Sequence, residues 1–132
     1  MDIEFINSAN SFRSSHFSQA VQISGGKMFV LSGQVAFDQA GNLVGEKDLR
    51  MQTMQAFENI KVILQSVQAS FEHMVKLTIF VANYQPEDRV VIVDVLKQYI
   101  NPDNPPANTL LGVQSLARPE LMIEIEAVAV IN

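Results

Sequence analysis

The sequence predicts an α+β domain in which a mixed sheet carries two helices on one face. Three observations predict it. Apolar residues recur at helical spacing between Asp48 and Ala69, runs of alternating apolar residues flank that stretch, and the final run, Leu121–Ile131, alternates as a strand. A chain of 132 residues fits one domain over 1–132. Its hydrophobic share of 48% against 17% charged residues is at the apolar end for a small monomer, which points to an oligomer interface.

Taken in order, Ile3-Glu4-Phe5-Ile6 reads as a strand stub before a Ser/Asn-rich loop. Phe17–Ile23 alternates as a strand, and Ser24-Gly25-Gly26-Lys27 is a turn because paired glycines supply positive φ. Met28–Phe37 is then expected to return as the second strand of a hairpin. Thr53, Ala56, Phe57, Ile60, Ile63, Leu64 and Val67 form the stripe of an amphipathic helix, with Asp48 as its N-cap. His73–Asn83 is a strand with Val75, Leu77, Ile79 and Val81 on one face. Pro86 suits the first turn of a second helix, which Ile92, Val95, Leu96 and Tyr99 extend toward Ile100. The prolines of Asn101–Pro106 hold the chain extended. Asn108–Leu116 and Leu121–Ile131 are the last strands, joined by a turn around Ala117-Arg118-Pro119.

Composition excludes several function classes. Without cysteine there is neither a thiolate nucleophile nor a cysteine-based zinc site, and His16 and His73 lie too far apart in sequence to suggest a metal centre. No metal or cofactor is expected. A net charge of −5 without a basic cluster argues against binding nucleic acid through its phosphates. No segment reaches the ~20 apolar residues of a membrane span, and Met1–Ser8 lacks the pattern of a secretory signal, so a cytoplasmic protein is expected.

In the last strand, Ile123, Ile125, Ala127, Ala129 and Ile131 should face the helices, and Met122, Glu124, Glu126, Val128 and Val130 the opposite side. That second face is too apolar for water and is best covered by other subunits. Its two glutamates stand about 6–7 Å apart along the strand, a spacing that acid–base chemistry can use and that intersubunit ion pairs would equally explain. Ser32 can orient a ligand oxygen or cap a strand end, and no histidine stands near it in sequence to make it a nucleophile.

Phe17-Ser18-Gln19-Ala20-Val21, Leu31-Ser32-Gly33-Gln34, Glu58-Asn59-Ile60-Lys61, Val75–Val81 and Glu124-Ile125-Glu126-Ala127 together resemble the Rid/YjgF family, also called reactive intermediate deaminase A or L-PSP endoribonuclease-like. The resemblance runs from about Phe17 to Val130. It implies a chorismate mutase-like fold and a homotrimer with a central barrel, binding a small molecule in clefts between subunits. It also implies hydrolysis of enamines and imines to keto acid and ammonia without a cofactor. By the same resemblance Glu124 positions the catalytic water and Phe17 and Asn108 stand at the substrate-binding positions, and Ser32 and the backbone around Leu110 are expected to complete the substrate site.

Two positions depart from the family's pattern. Asn108 stands where a carboxylate-clamping arginine is expected, and Phe17 where a tyrosine is expected. An arginine offers a charged fork worth ~1.5–3 kcal/mol, an amide a neutral contact worth about 1. The sequence leaves open whether Arg89 or Arg118 takes the missing arginine's place in the cleft. Altered deaminase specificity is the first reading, a non-enzymatic ligand-binding or sensing protein the second, and an endoribonuclease the weakest.

Overall fold

The computed structural model describes residues 1–132. Its strands are β1 (Asp2–Ile6), β2 (Ala20–Ser24), β3 (Lys27–Gln34), β4 (Met74–Ala82), β5 (Ala107–Val113) and β6 (Ile123–Ile131); its helices are α1 (Leu49–Ser66) and α2 (Pro86–Leu96). Four strands form a mixed sheet in the order β3-β6-β4-β5, with β4 and β5 parallel and the other pairs antiparallel. Parallel neighbours need a crossover, which α2 supplies. The two helices on a mixed sheet are the architecture the sequence predicts.

The expected hairpin between the second and third runs does not form. β2 pairs with β1 in a separate two-stranded sheet, matching Phe5 with Val21 and Ile3 with Ile23, while β3 pairs with β6. Gly25 and Gly26 do take positive φ, 75° and 86°, and bend the chain. Such a turn fixes a change of direction but not the partner, which long-range apolar register selects. The runs are also shorter than expected. Phe17 and Ser18 are diverted into bridges with Ser14 and Ala107, and β3 leaves the sheet after Gln34.

Helix α1 begins where expected, with the Asp48 carboxylate accepting from the Met51 N–H at 3.0 Å. It stops when Gln68 enters the left-handed region at φ 62°, allowing the Ala69 N–H to reach the Leu64 carbonyl at 2.8 Å. Its buried stripe, Ala56, Phe57, Ile60 and Leu64, meets Leu77, Ile79, Ile123, Ile125 and Ala127 of the sheet in one core. Tyr99 stacks on Phe57 with centroids 4.9 Å apart. Burial, followed by the bond to Glu58, pushes the Tyr99 phenol up to about 12.

Two polar side chains of α1 position the sheet's functional edge. Gln52 is fully buried; its amide N–H group donates to the carbonyls of Gly45 and Glu120 at 3.1 and 3.0 Å, and its oxygen accepts from the Met122 N–H at 2.9 Å. It therefore fixes the entry to β6. Asn59 donates to the carbonyls of Val35 and Phe37 at 2.9 and 2.8 Å and fixes the exit from β3. Gln52→Ala should remove three bonds and leave buried partners unsatisfied, at a cost of about 2–3 kcal/mol. Denaturant unfolding checks this, and a midpoint equal to that of the native protein would show that Gln52 does not hold β6.

Candidate ligand site

A short loop sets one half of the site. Ser18 is buried, and its hydroxyl donates to the Pro105 carbonyl at 2.5 Å while its N–H donates to the Pro106 carbonyl at 3.1 Å. Pro105 and Pro106 lack an N–H, so they offer only acceptors, and Ser18 is the matching donor. This tie sets Phe17 beside the start of β5. Asn108 and Leu110 leave β5 on the side facing the helices, opposite Leu77 and Ile79 of β4.

Phe17, Asn108 and Leu110 thus meet in a cavity of about 110 Å³ between α2 and the sheet. Ile79, Ile92, Val93 and Leu96 supply its apolar wall, and His16 and Arg89 its polar rim. The Asn108 side-chain oxygen is buried without a donor in the chain. Burial first, then the positive charges of Lys97 and Arg89, hold the His16 imidazole below its ordinary 6.5, which leaves it neutral at pH 7. Arg118 does not line this cavity. Its guanidinium lies 5.1 Å from the centroid of the Phe37 ring, a cation–π contact elsewhere on the surface.

Glu124 stands on the other face. Its register partner on β4 is Phe80, whereas Asn108 is paired with Leu77, three residues away, and the odd offset puts the two side chains on opposite sides of the sheet. The Glu124 carboxylate instead folds over Gly33, where a Cβ would stand 2.0 Å from its oxygen. Only a glycine allows this approach. Ser32 is exposed beside it, at the irregularity between Leu31 and Gln34. The chain therefore brings together Phe17, Asn108 and Leu110 in one place, and Ser32 and Glu124 in another. Glu126 is exposed opposite Thr78, without an ion-pair partner in the chain.

The face that carries Glu124 is open. Met28 and Val30 are 64% and 75% exposed, and Val30 is paired with Val128, next to Lys76. Leu111 continues the apolar surface onto β5, opposite Phe80. Val130 is the exception to the expected openness, being buried where Gly26 and Met1 approach it.

Residues 9–131 match the family model described as endoribonuclease L-PSP. The chain belongs to this Rid/YjgF family. It is 36% identical over 114 residues to protein DfrA of Myxococcus xanthus, covering 86% of this chain and 84% of that one. It is 33% identical over 116 residues to a 2-iminobutanoate/2-iminopropanoate deaminase of Dermatophagoides farinae, covering 88% and 86%. The crystal structure of the Rid-family protein YyfB from Yersinia pestis superposes with a TM-score of 0.90 at 36% identity, covering 99% of this chain and all of that one. No helix of this Rid-family chain is long and apolar enough to cross a membrane.

The sequence offered His16 only as one of two distant histidines and left Arg89 and Arg118 undistinguished. No local signal separates two arginines; only the packing of α2 over β5 does. The lowered His16 pKa has a measurable consequence. On acidification the unfolded chain takes up the proton before the folded one, so the stability tied to neutral His16 is present above about pH 6.5 and is lost as pH falls toward the folded value. His16→Gln should flatten that part of the stability–pH curve. An NMR titration of His16 with a midpoint above 6.5 would contradict the assignment.

Proposed function

We propose that this Rid-family protein hydrolyses small 2-imino or enamine acids, with specificity altered by Asn108 and Phe17, in a site completed between two copies of the chain. The observation that carries this reading is the opposite-face placement of Asn108 and Glu124. One chain cannot bring them to a single substrate, but a neighbour whose open face packs against the edge strand β5 can. An exposed apolar face and an unpaired sheet edge both call for a covering partner. A homotrimer with its open sheet faces turned toward a central barrel satisfies both. The deaminase name of the mite relative supports the chemistry.

In this mechanism Phe17 and Leu110 wall the acyl chain, Asn108 binds the polar end, and outward-facing backbone groups of β5 near Leu110 add hydrogen bonds. Ser32 orients a ligand oxygen beside Glu124. The Glu124 carboxylate accepts a proton from water as the water oxygen attacks the C=N carbon. The proton passes to nitrogen to give the 2-amino-2-hydroxy acid, and transfer of its hydroxyl proton to nitrogen by way of Glu124 then forms C=O as the C–N bond breaks, giving keto acid and ammonia.

Glu124→Gln should abolish release of ammonia from enzymatically generated 2-aminoacrylate while leaving the assembly intact. Mixing this variant with Leu110→Arg, which fills the cavity, should restore part of the turnover, because mixed assemblies contain some sites with two native halves. Absence of that complementation would place the site within one chain. Val30→Glu on the open face should dissociate the assembly, as read by analytical ultracentrifugation; an unchanged mass would exclude this face as the interface.

A second reading, a non-enzymatic ligand-binding protein, is favoured by one observation: neither Asn108 nor Phe17 supplies the polar group expected in the deaminases. Binding of a short keto acid without any hydrolysis of 2-aminoacrylate would establish it.

A further inference from the structure

We propose that Arg89, from α2, clamps the ligand's carboxylate in place of an arginine on β5, and that the Asn108 oxygen selects acids carrying an N–H or O–H next to that carboxylate. The inference rests on the reading of this cavity as the ligand site, but not on any hydrolysis there. Arg89 lines the cavity and has no ion-pair partner, although Asp94 of the same helix is engaged by Arg50 at 2.5 Å. The positive charges of Arg89 and Lys97 both act on His16, so cationic groups gather at this rim, while the neighbouring Asp88 carboxylate accepts from the Gln85 N–H at 2.8 Å.

Asn108 supplies the second element. Asn108 lines the same cavity, and its side-chain oxygen is buried without a donor in the chain. An unsatisfied buried acceptor is unfavourable, and a ligand that brings a donor removes the penalty. The two groups therefore ask for different things of one molecule: an anionic end for Arg89 and a hydrogen-bond donor for Asn108. The walls between them, Phe17, Ile79, Ile92, Leu96 and Leu110, accept only a short apolar chain. Together they describe a short 2-amino, 2-imino or 2-hydroxy acid. The apolar surroundings strengthen both contacts relative to water. An arginine projecting from α2 approaches the cavity from its rim, whereas one at position 108 would have to fit inside it. Asn108 thus leaves space that Arg89 can serve from outside.

The test is binding to the intact protein by calorimetry, with 2-hydroxybutanoate, 2-oxobutanoate and 2-hydroxybutanamide as probes. The native protein should bind the hydroxy acid more tightly than the keto acid, and both more tightly than the amide. Arg89→Gln should weaken both acids by about tenfold or more, the expected loss of a charge-assisted contact, and leave the amide unchanged. Asn108→Leu should erase the preference for the hydroxy acid, and Arg118→Gln should change nothing. Arg89 is exposed, so its variant should unfold at the native temperature. Equal affinity of the native protein for acid and amide, no measurable binding of either acid, or native affinity in Arg89→Gln would each overturn the proposal. Binding that depends on Arg89 in a protein that releases no ammonia would retain it and reject only the deaminase reading.

Discussion

Successive side chains leave a strand on opposite faces, and this alternation governs most of what the molecule can do. β4 and β6 are central, so both of their faces must be matched to different surroundings. Ile123, Ile125, Ala127 and Ala129 meet the helices and are buried. Glu124, Glu126 and Val128 are committed to the other side by the same geometry. Neither set can be exchanged without a register slip that would bury two carboxylates, which is prohibitively costly without partners. The alternation that builds the core therefore also fixes the open face.

Covering of the sheet is one-sided as a result. α1 and α2 occupy one face, and no third layer of this chain lies over the other. The apolar groups left there, Met28, Val30 and Leu111, are arranged across neighbouring strands rather than scattered singly. Glu124 sits among them but folds back over Gly33, keeping its charge at the edge of the face. A carboxylate so placed is available to a molecule arriving from outside the chain.

The helix-covered face hosts a different kind of site. Its cavity is formed by packing α2 onto β4 and β5 and is closed by the loop that Ser18 ties to Pro105 and Pro106. Most of its wall is apolar, with charge confined to the rim. This division is common where a small ligand must be held by a few directed contacts. The buried polar bonds of Gln52 and Asn59 support the whole arrangement by fixing where β6 begins and β3 ends. Both residues lie on α1, so one helix sets the positions of two strands.

Much of this was legible in the sequence, because it depends on local periodicity. The stripe from Thr53 to Val67, the cap at Asp48 and the alternation of β4 and β6 each require only neighbours within one element. What the sequence could not supply was pairing between distant segments. The Gly25-Gly26 turn suggested a hairpin, but β2 and β3 chose different partners. The resemblance implied one cleft between subunits for Asn108 and Glu124, and the register sets them on opposite faces of a single chain's sheet. Helix packing alone brings Arg89 to the cavity's rim, while Arg118 lies over the Phe37 ring. Periodicity is a property of the chain, so the sequence by itself determined the elements and their buried faces. Register and helix docking arise from contacts between segments far apart in the chain, so only the tertiary structure decided which side chains share a site.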